Sequence, residues 1–227
     1  MGVIDKNLIG QYSELHDSKK YGYTGHYFDT HIQACIVDLK PNSLLEYGCG
    51  QSDLIKTLDY GDAVYHRYDP AITEFSEIKT DRVDLIINTD VLEHIPEEDI
   101  DDVLRHMKSL SSHVFFNIST CLAKHILPNG QNAHCTVWRS QKWLAKIQEF
   151  FPDAVLCFAD EEKKCLIITW KSPASQLINQ IELYKSIATV ERVHWLKKLE
   201  RSIRKLRNFL IGKERFRLIK SRLIKNG

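Results

Sequence analysis

Between residues 44 and 53 the chain reads Leu44-Leu45-Glu46-Tyr47-Gly48-Cys49-Gly50-Gln51-Ser52-Asp53. An apolar run stops at a carboxylate, a Gly-x-Gly follows, and a segment able to start a helix comes next. That is the form of a strand, a tight turn and a helix N-terminus, where a nucleotide-like ligand lies against bare backbone. Glycine serves there because a Cβ blocks close approach or because φ must be positive. An ordinary turn produces the same pair of glycines, so the loop needs support from elsewhere. Asp69 closes a second strand-like run, 19 residues after Gly50. A carboxylate at the end of the second strand of a βαβ unit accepts hydrogen bonds from ribose hydroxyls. A third group, Asp90-Val91-Leu92-Glu93-His94, follows the run Val83–Thr89, and His134 stands in a long polar stretch further on.

Regularly spaced elements are needed to bring these groups together. Helices are expected over 5–16, 25–39, 52–59, 97–109 and 140–150. Pro96 followed by Glu97-Glu98-Asp99 suits a helix start, since proline is tolerated in the first turn and acids favour the positive end of the dipole. Strands are expected at the runs ending in Glu46-Tyr47, Asp69, Asp90 and Ser119, and near 154–159 and 164–170. Asp160-Glu161-Glu162-Lys163 makes a hairpin turn, so the last pair should be antiparallel. The expected fold is α/β: a Rossmann-like, seven-stranded, mostly parallel sheet with helices on both faces and a C-terminal helical tail. Three regions follow: N-terminal helices or lid over 1–40, a core over 41–171, and a basic amphipathic tail over 174–227. Glu46, Asp69, Asp90 and Asn117 all fall at strand ends and should converge at the carboxyl edge of the sheet, where open α/β sheets bind ligands.

The combination Glu46-Tyr47-Gly48-Cys49-Gly50, Asp69 and Asp90-Val91-Leu92-Glu93-His94-Ile95 resembles the class I S-adenosylmethionine-dependent methyltransferases, in the broad group related to ubiquinone-biosynthesis enzymes. The resemblance covers roughly residues 35 to 170. The resemblance implies S-adenosylmethionine as cofactor, with Glu46, Tyr47, Gly48, Gly50, Asp69, Asp90 and Val91 around it. Asp69 would take the ribose, and the backbone of Gly48 and Gly50 would pass under the methionine part. The chain departs from the family between Asp69 and Asp84, an interval that normally holds a helix, a third strand and an adenine contact. A short or vestigial third strand is expected, with Glu77 as the candidate for adenine.

Methyl transfer is an in-line displacement with an already activated leaving group, so alignment supplies much of the catalysis. A hydroxyl acceptor also benefits from a base. His134 is the preferred candidate, on the loop of residues 121–136; Asp90 and His94 are the others, on the preceding strand end. His94 reads equally well as a packed helix-start residue, and His134 as a loop-packing one. No metal is expected: the residues Asn117-Ile118-Ser119 lack the Asp-Asn pair of metal-dependent catechol-type enzymes. The segment Tyr21–Phe28 is aromatic enough to form a lid over a sulfonium by cation–π attraction, or to pack the first helices on the sheet.

The chain has 227 residues, 43% hydrophobic, with a net charge of +1. That suits one domain with a sizeable core. No apolar run is long enough to span a bilayer, and no signal-peptide core begins the sequence, so a cytoplasmic location is expected. Six cysteines without a Cys-x-x-Cys pair read as reduced thiols and not as a zinc site. The charge is split: residues 191–227 carry a net +10 and residues 1–190 a net −9. In the tail Val193, Leu196, Leu199, Ile203, Leu206 and Leu210 recur at helical spacing among basic residues. Such a helix lies on an anionic membrane at the inner face, binds nucleic acid, or packs on a partner subunit. The favoured function is O-methylation of a saccharide or other small hydroxylated acceptor, similar to short methyltransferases of surface-polysaccharide pathways. The alternatives are a nucleic-acid methyltransferase and a non-catalytic assembly subunit.

Overall fold

A computed structural model describes residues 6–18 and 24–186. The apolar runs form the strands β1 (Ser43–Tyr47), β2 (Val64–Tyr68), β3 (Leu85–Thr89), β4 (Val114–Ser119), β5 (Val155–Asp160) and β6 (Lys164–Ile168). They make one six-stranded sheet in the order β2-β1-β3-β4-β6-β5. The first four are parallel, and β6 runs antiparallel to both β4 and β5. The central strands are near-continuous apolar runs because both faces are covered. Successive residues alternate between two cores. Leu45, Ile86 and Phe116 face one side, with the helices α3 (Ile100–Leu110) and α4 (Ser140–Phe150). Leu44, Ile87 and Phe115 face the other, with Ile32, Cys35 and Ile36 of α2 (Asp29–Leu39). Residues 174–186 are helical, and Ala174 and Ile178 are buried in that second core.

The strand count differs from the expected seven. Residues 69–84 contain only a 3-10 turn at Thr73–Phe75 and no third strand. A parallel crossover consumes a dozen or more residues by itself, and this segment is spent in returning from β2 across β1 to β3. The helix expected over 52–59 is also absent; a 3-10 turn at Leu54–Lys56 replaces it. The Ser52 hydroxyl accepts from Leu54 N–H at 3.1 Å and Arg67 binds the Ser52 carbonyl at 2.8 Å, so the backbone here is tied into a turn. The glycine loop therefore has no helix dipole behind it. Helix 25–39 is divided, with a 3-10 turn at Thr24–Phe28 ahead of α2.

The chain separates into two compact units, Met1–Ile181 and Glu182–Gly227. Of the second, only residues 182–186 are described, and these are helical. The expected amphipathic tail beyond residue 186 lies outside the described residues, as do Tyr21, Gly22 and Tyr23 of the expected lid. Phe28, from the same aromatic segment, is buried in the core. No helix among the described residues is long and apolar enough to cross a membrane.

Candidate active site

The chain passes from β1 to β2 on one side and then crosses back to β3 on the other, and this reversal opens a crevice at the carboxyl ends of the parallel strands. A cavity of about 530 Å³ lies there. Its wall includes Tyr47, Gly48, Gly50, Asp69, Asp90, Val91, His94 and His134, but not Glu46. The α1 helix (Lys6–Ser18) closes one side with Leu8, Ile9, Tyr12 and His16.

The loop after β1 is held by its neighbours. Gly48 has φ +76° and Gly50 φ +49°. A Cβ on Gly48 would lie 2.4 Å from Val91 Cγ2, so only glycine lets the loop pass under the β3 end. The Tyr68 carbonyl accepts from Gly48 N–H at 2.7 Å and Cys49 N–H at 3.0 Å. Asp69 is buried and uses both oxygens: Oδ2 accepts from Gly50 N–H at 2.8 Å and Oδ1 from Ala71 N–H at 2.9 Å. Each oxygen keeps a further acceptor site, since a carboxylate has about four, and Asp69 lines the cavity.

Glu46 lies beneath the loop rather than in the cavity wall. Arg67 pairs with it across the β1–β2 register, Nε to Oε2 at 3.7 Å, and the Tyr65 hydroxyl donates to the same oxygen at 3.2 Å. Burial pushes its carboxyl up, while Ser52, Arg67 and Tyr65 pull it down. Arg67 also donates to the Gly50 and Ser52 carbonyls at 3.3 and 2.8 Å, and its guanidinium stacks 4.0 Å from the centre of the Phe75 ring. Tyr47 packs in the core, with its hydroxyl 2.9 Å from His106 Nδ1, and also lines the cavity. Glu77, the candidate for adenine, is exposed and lies outside the cavity wall.

The β3–β4 end is built differently. Asp90 has φ +55°, a conformation that aspartate tolerates better than most residues. Asn117 Nδ2 donates to Asp90 Oδ1, and the Asn117 carbonyl accepts from Asp90 N–H at 3.0 Å. Glu93 is fully buried; Oε1 accepts from Ser119 N–H at 2.8 Å. Oε2 has no hydrogen-bond partner among the described residues. Burial and the nearby Asp90 push its carboxyl well above the usual range.

The long loop after β4 folds back over this end. Asn132 bridges it internally, accepting from Ala123 N–H at 3.0 Å and donating to the Ala123 carbonyl at 2.9 Å. Thr136 fastens it to the β3 end through the Glu93 and Ile95 carbonyls. The fold-back brings His134 beside His94, with ring centres 4.8 Å apart and planes at 74°. His94 Nδ1 lies 2.7 Å from the Ala133 carbonyl, and His134 Nδ1 lies 2.5 Å from the Cys121 carbonyl. A carbonyl has no proton to give, so each Nδ1 carries the hydrogen and Nε2 the lone pair. Burial pushes His94 down to about 3, helped by His134 and opposed by the Ala133 carbonyl. The Tyr12 hydroxyl donates to the same Ala133 carbonyl at 2.7 Å.

Sequence reasoning missed Arg67 and Tyr12. Arg67 was visible in one respect: it stands one residue before the end of its strand, as Glu46 does in β1, so parallel pairing sets opposite charges side by side. Tyr12 lies on the Leu8, Tyr12, Leu15 face of α1, but nothing local says where that face docks.

No family model matches the chain, and no curated protein matches it. Solved structures do match. The 1,6-didemethyltoxoflavin-N1-methyltransferase of Burkholderia thailandensis, with 1,6-didemethyltoxoflavin and S-adenosylhomocysteine bound, is 10% identical with a TM-score of 0.49, over 71% of this chain and 87% of that one. The N-methyltransferase NodS of Bradyrhizobium japonicum, in complex with S-adenosylhomocysteine, is 14% identical with a TM-score of 0.43, over 70% of this chain and 96% of that one.

Proposed function

We propose that this chain is an S-adenosylmethionine-dependent methyltransferase of class I acting on a small acceptor. The observation that carries the reading is the loop Gly48-Cys49-Gly50, stripped of side-chain bulk at the cavity and clasped by Asp69. It sits at the switch point of the sheet, and His94 and His134 line the same cavity. The ribose would meet the remaining lone pairs of Asp69, and the methionine part would lie along the glycine backbone. Val91 and Asp90 border the methyl end. A cavity of about 530 Å³ falls within the range of small-molecule sites.

At the acceptor end, His134 Nε2 is the proton acceptor for a hydroxyl substrate, with His94 and Asp90 shaping its surroundings. The proton goes to imidazole, the oxygen attacks the methyl carbon, and the carbon–sulfur bond breaks to leave neutral S-adenosylhomocysteine. A saccharide or other small hydroxylated compound is the acceptor class this arrangement favours. The +10 charge of residues 191–227 and their apolar spacing support attachment to an anionic membrane surface, and sedimentation with anionic liposomes at low salt tests that role. Nucleic acid as acceptor keeps only the same basic tail in its support.

Calorimetry with S-adenosylhomocysteine tests the cofactor reading. The wild type should bind it and Asp69→Ala should bind at least tenfold more weakly, since hydrogen bonds to a charged group are worth about 1.5–3 kcal/mol. Equal affinity in the two proteins removes Asp69 from the site, and no binding by the wild type overturns the function.

A further inference from the structure

We propose that Glu93, His94 and His134 form a binding site for one divalent transition-metal ion of the zinc class at the floor of the cavity. One ligand atom from each residue lies within 4.8 Å of the other two. Nitrogen and oxygen ligands sit about 2.0–2.2 Å from zinc, so tetrahedral neighbours are about 3.4 Å apart. Small side-chain rotations bring the three together.

Three features point to a metal rather than to chance proximity. Both imidazoles are committed through Nδ1 to a backbone carbonyl, Ala133 at 2.7 Å and Cys121 at 2.5 Å. That is how metal-binding histidines are oriented from behind, with the lone pair on the other nitrogen. Glu93 is fully buried, its Oε1 is held by Ser119 N–H, and its Oε2 has no hydrogen-bond partner among the described residues. A buried polar oxygen without a partner costs free energy, and a cation supplies the missing partner. The two rings meet edge to face at 74°, so they converge without stacking.

Two imidazoles and one carboxylate favour zinc, cobalt or nickel over magnesium and calcium, which take all-oxygen sets. Three protein ligands leave a fourth position, the arrangement of open zinc sites. All three residues line the cavity, so that position faces it. The set escaped the sequence reading because Glu93-His94 and His134 lie on different loops and have no ligand spacing. Binding does not depend on the methyltransferase reading. Where that reading holds, the ion takes the nitrogen through which His134 accepts a proton.

The test titrates chelator-treated full-length protein with Co²⁺ and Zn²⁺. One ion per chain should bind with micromolar affinity or better, and Co²⁺ should give a visible absorption of low symmetry that Zn²⁺ abolishes. Glu93→Gln keeps an acceptor for Ser119 N–H and should weaken binding by at least about tenfold, as should His134→Ala. His125→Ala, on the same loop but outside the cluster, should bind like the wild type. Thermal melting and S-adenosylhomocysteine affinity are measured on every variant, and if His134→Ala does not fold, Glu93→Gln decides. No metal binding by the wild type overturns the proposal. Binding that survives Glu93→Gln and His134→Ala unchanged overturns it too. Because S-adenosylhomocysteine binding is read separately, failure of the metal site and failure of the methyltransferase reading remain distinct.

Discussion

At the β1–β2 end of the cavity the charged side chains are spent chiefly on backbone: Asp69 on the Gly50 and Ala71 amides, Arg67 on the Gly50 and Ser52 carbonyls. Both ends leave buried polar atoms over: at the β1–β2 end Glu46 Oε1 and Arg67 Nε, on two side chains that pair with each other outside the cavity wall, and at the β3–β4 end atoms that include one on Glu93, in the wall itself. Glu93 Oε2 and Asn117 Oδ1 have no hydrogen-bond partner among the described residues, and Asp90 holds a positive φ. A buried group without a partner and a residue in a sparsely populated conformation each cost stability, and such costs gather where a site meets its ligand. The first end is a preorganised cradle whose work is to hold a loop still. The second end is chemically unfinished until something binds. The division predicts two kinds of variant: those at the β3–β4 end should change turnover, and those at the β1–β2 end should change cofactor affinity.

His134→Ala should have the largest effect. Loss of a general base lowers turnover by about 10²–10⁴-fold, while S-adenosylhomocysteine affinity should barely move because the ring belongs to the other end. Single-turnover rates with a true acceptor, set beside calorimetry, check both halves. A variant that loses affinity and turnover together erases the division between the two ends. Gly48→Ala comes next and should act in the opposite sense. Its Cβ would press on Val91 at 2.4 Å, and φ +76° disfavours any side chain. Strain of about 1–3 kcal/mol must be relieved by moving the loop. Cofactor affinity should fall roughly 10–100-fold, and the melting temperature should drop with it. Wild-type affinity in Gly48→Ala would show that the cofactor does not use this loop.

How much of this was legible in advance follows the same division. Three of the four parallel strands contain or lead into an acid, Glu46, Asp69 or Asp90, so their positions and the carboxyl-edge convergence of Asp69, Asp90 and Asn117 could be read locally. The hairpin at Asp160–Lys163 and helix Ser140–Phe150 were equally local. What failed were elements that compete with tertiary contacts. Residues 52–59 have helical spacing, but Arg67 and the Ser52 hydroxyl claim the backbone there for a turn. The third strand had too little chain once the crossover to β3 was made. At the site, the role of His134 as a partner of His94 and Glu93 was not legible, because it depends on how far the loop of residues 121–136 folds back. The Asn132 and Thr136 bonds that set this are single side chains in a polar stretch.

The smallest predicted effect, and the finest probe of the cradle, is Arg67→Lys. The substitution keeps the positive charge near Glu46, so the ion pair at 3.7 Å can re-form. It cannot keep the rest. A guanidinium spans the Gly50 and Ser52 carbonyls with one planar group and sits over the Phe75 ring, whereas an ammonium is a point donor on a flexible stem. The loop should therefore stay closed but lose a brace, and each neutral hydrogen-bond acceptor left to water costs about 0.5–1.5 kcal/mol. Cofactor affinity should fall by a factor of a few, with turnover at saturating cofactor unchanged. Arg67→Met removes the charge as well and leaves Glu46 buried without its cation, so it should lose more, in stability as well as affinity. If Arg67→Lys and Arg67→Met weaken binding equally, the bracing of the two carbonyls matters and the pairing with Glu46 does not. If Arg67→Lys binds like the wild type, the charge alone holds the loop, and the guanidinium geometry adds nothing to the cradle.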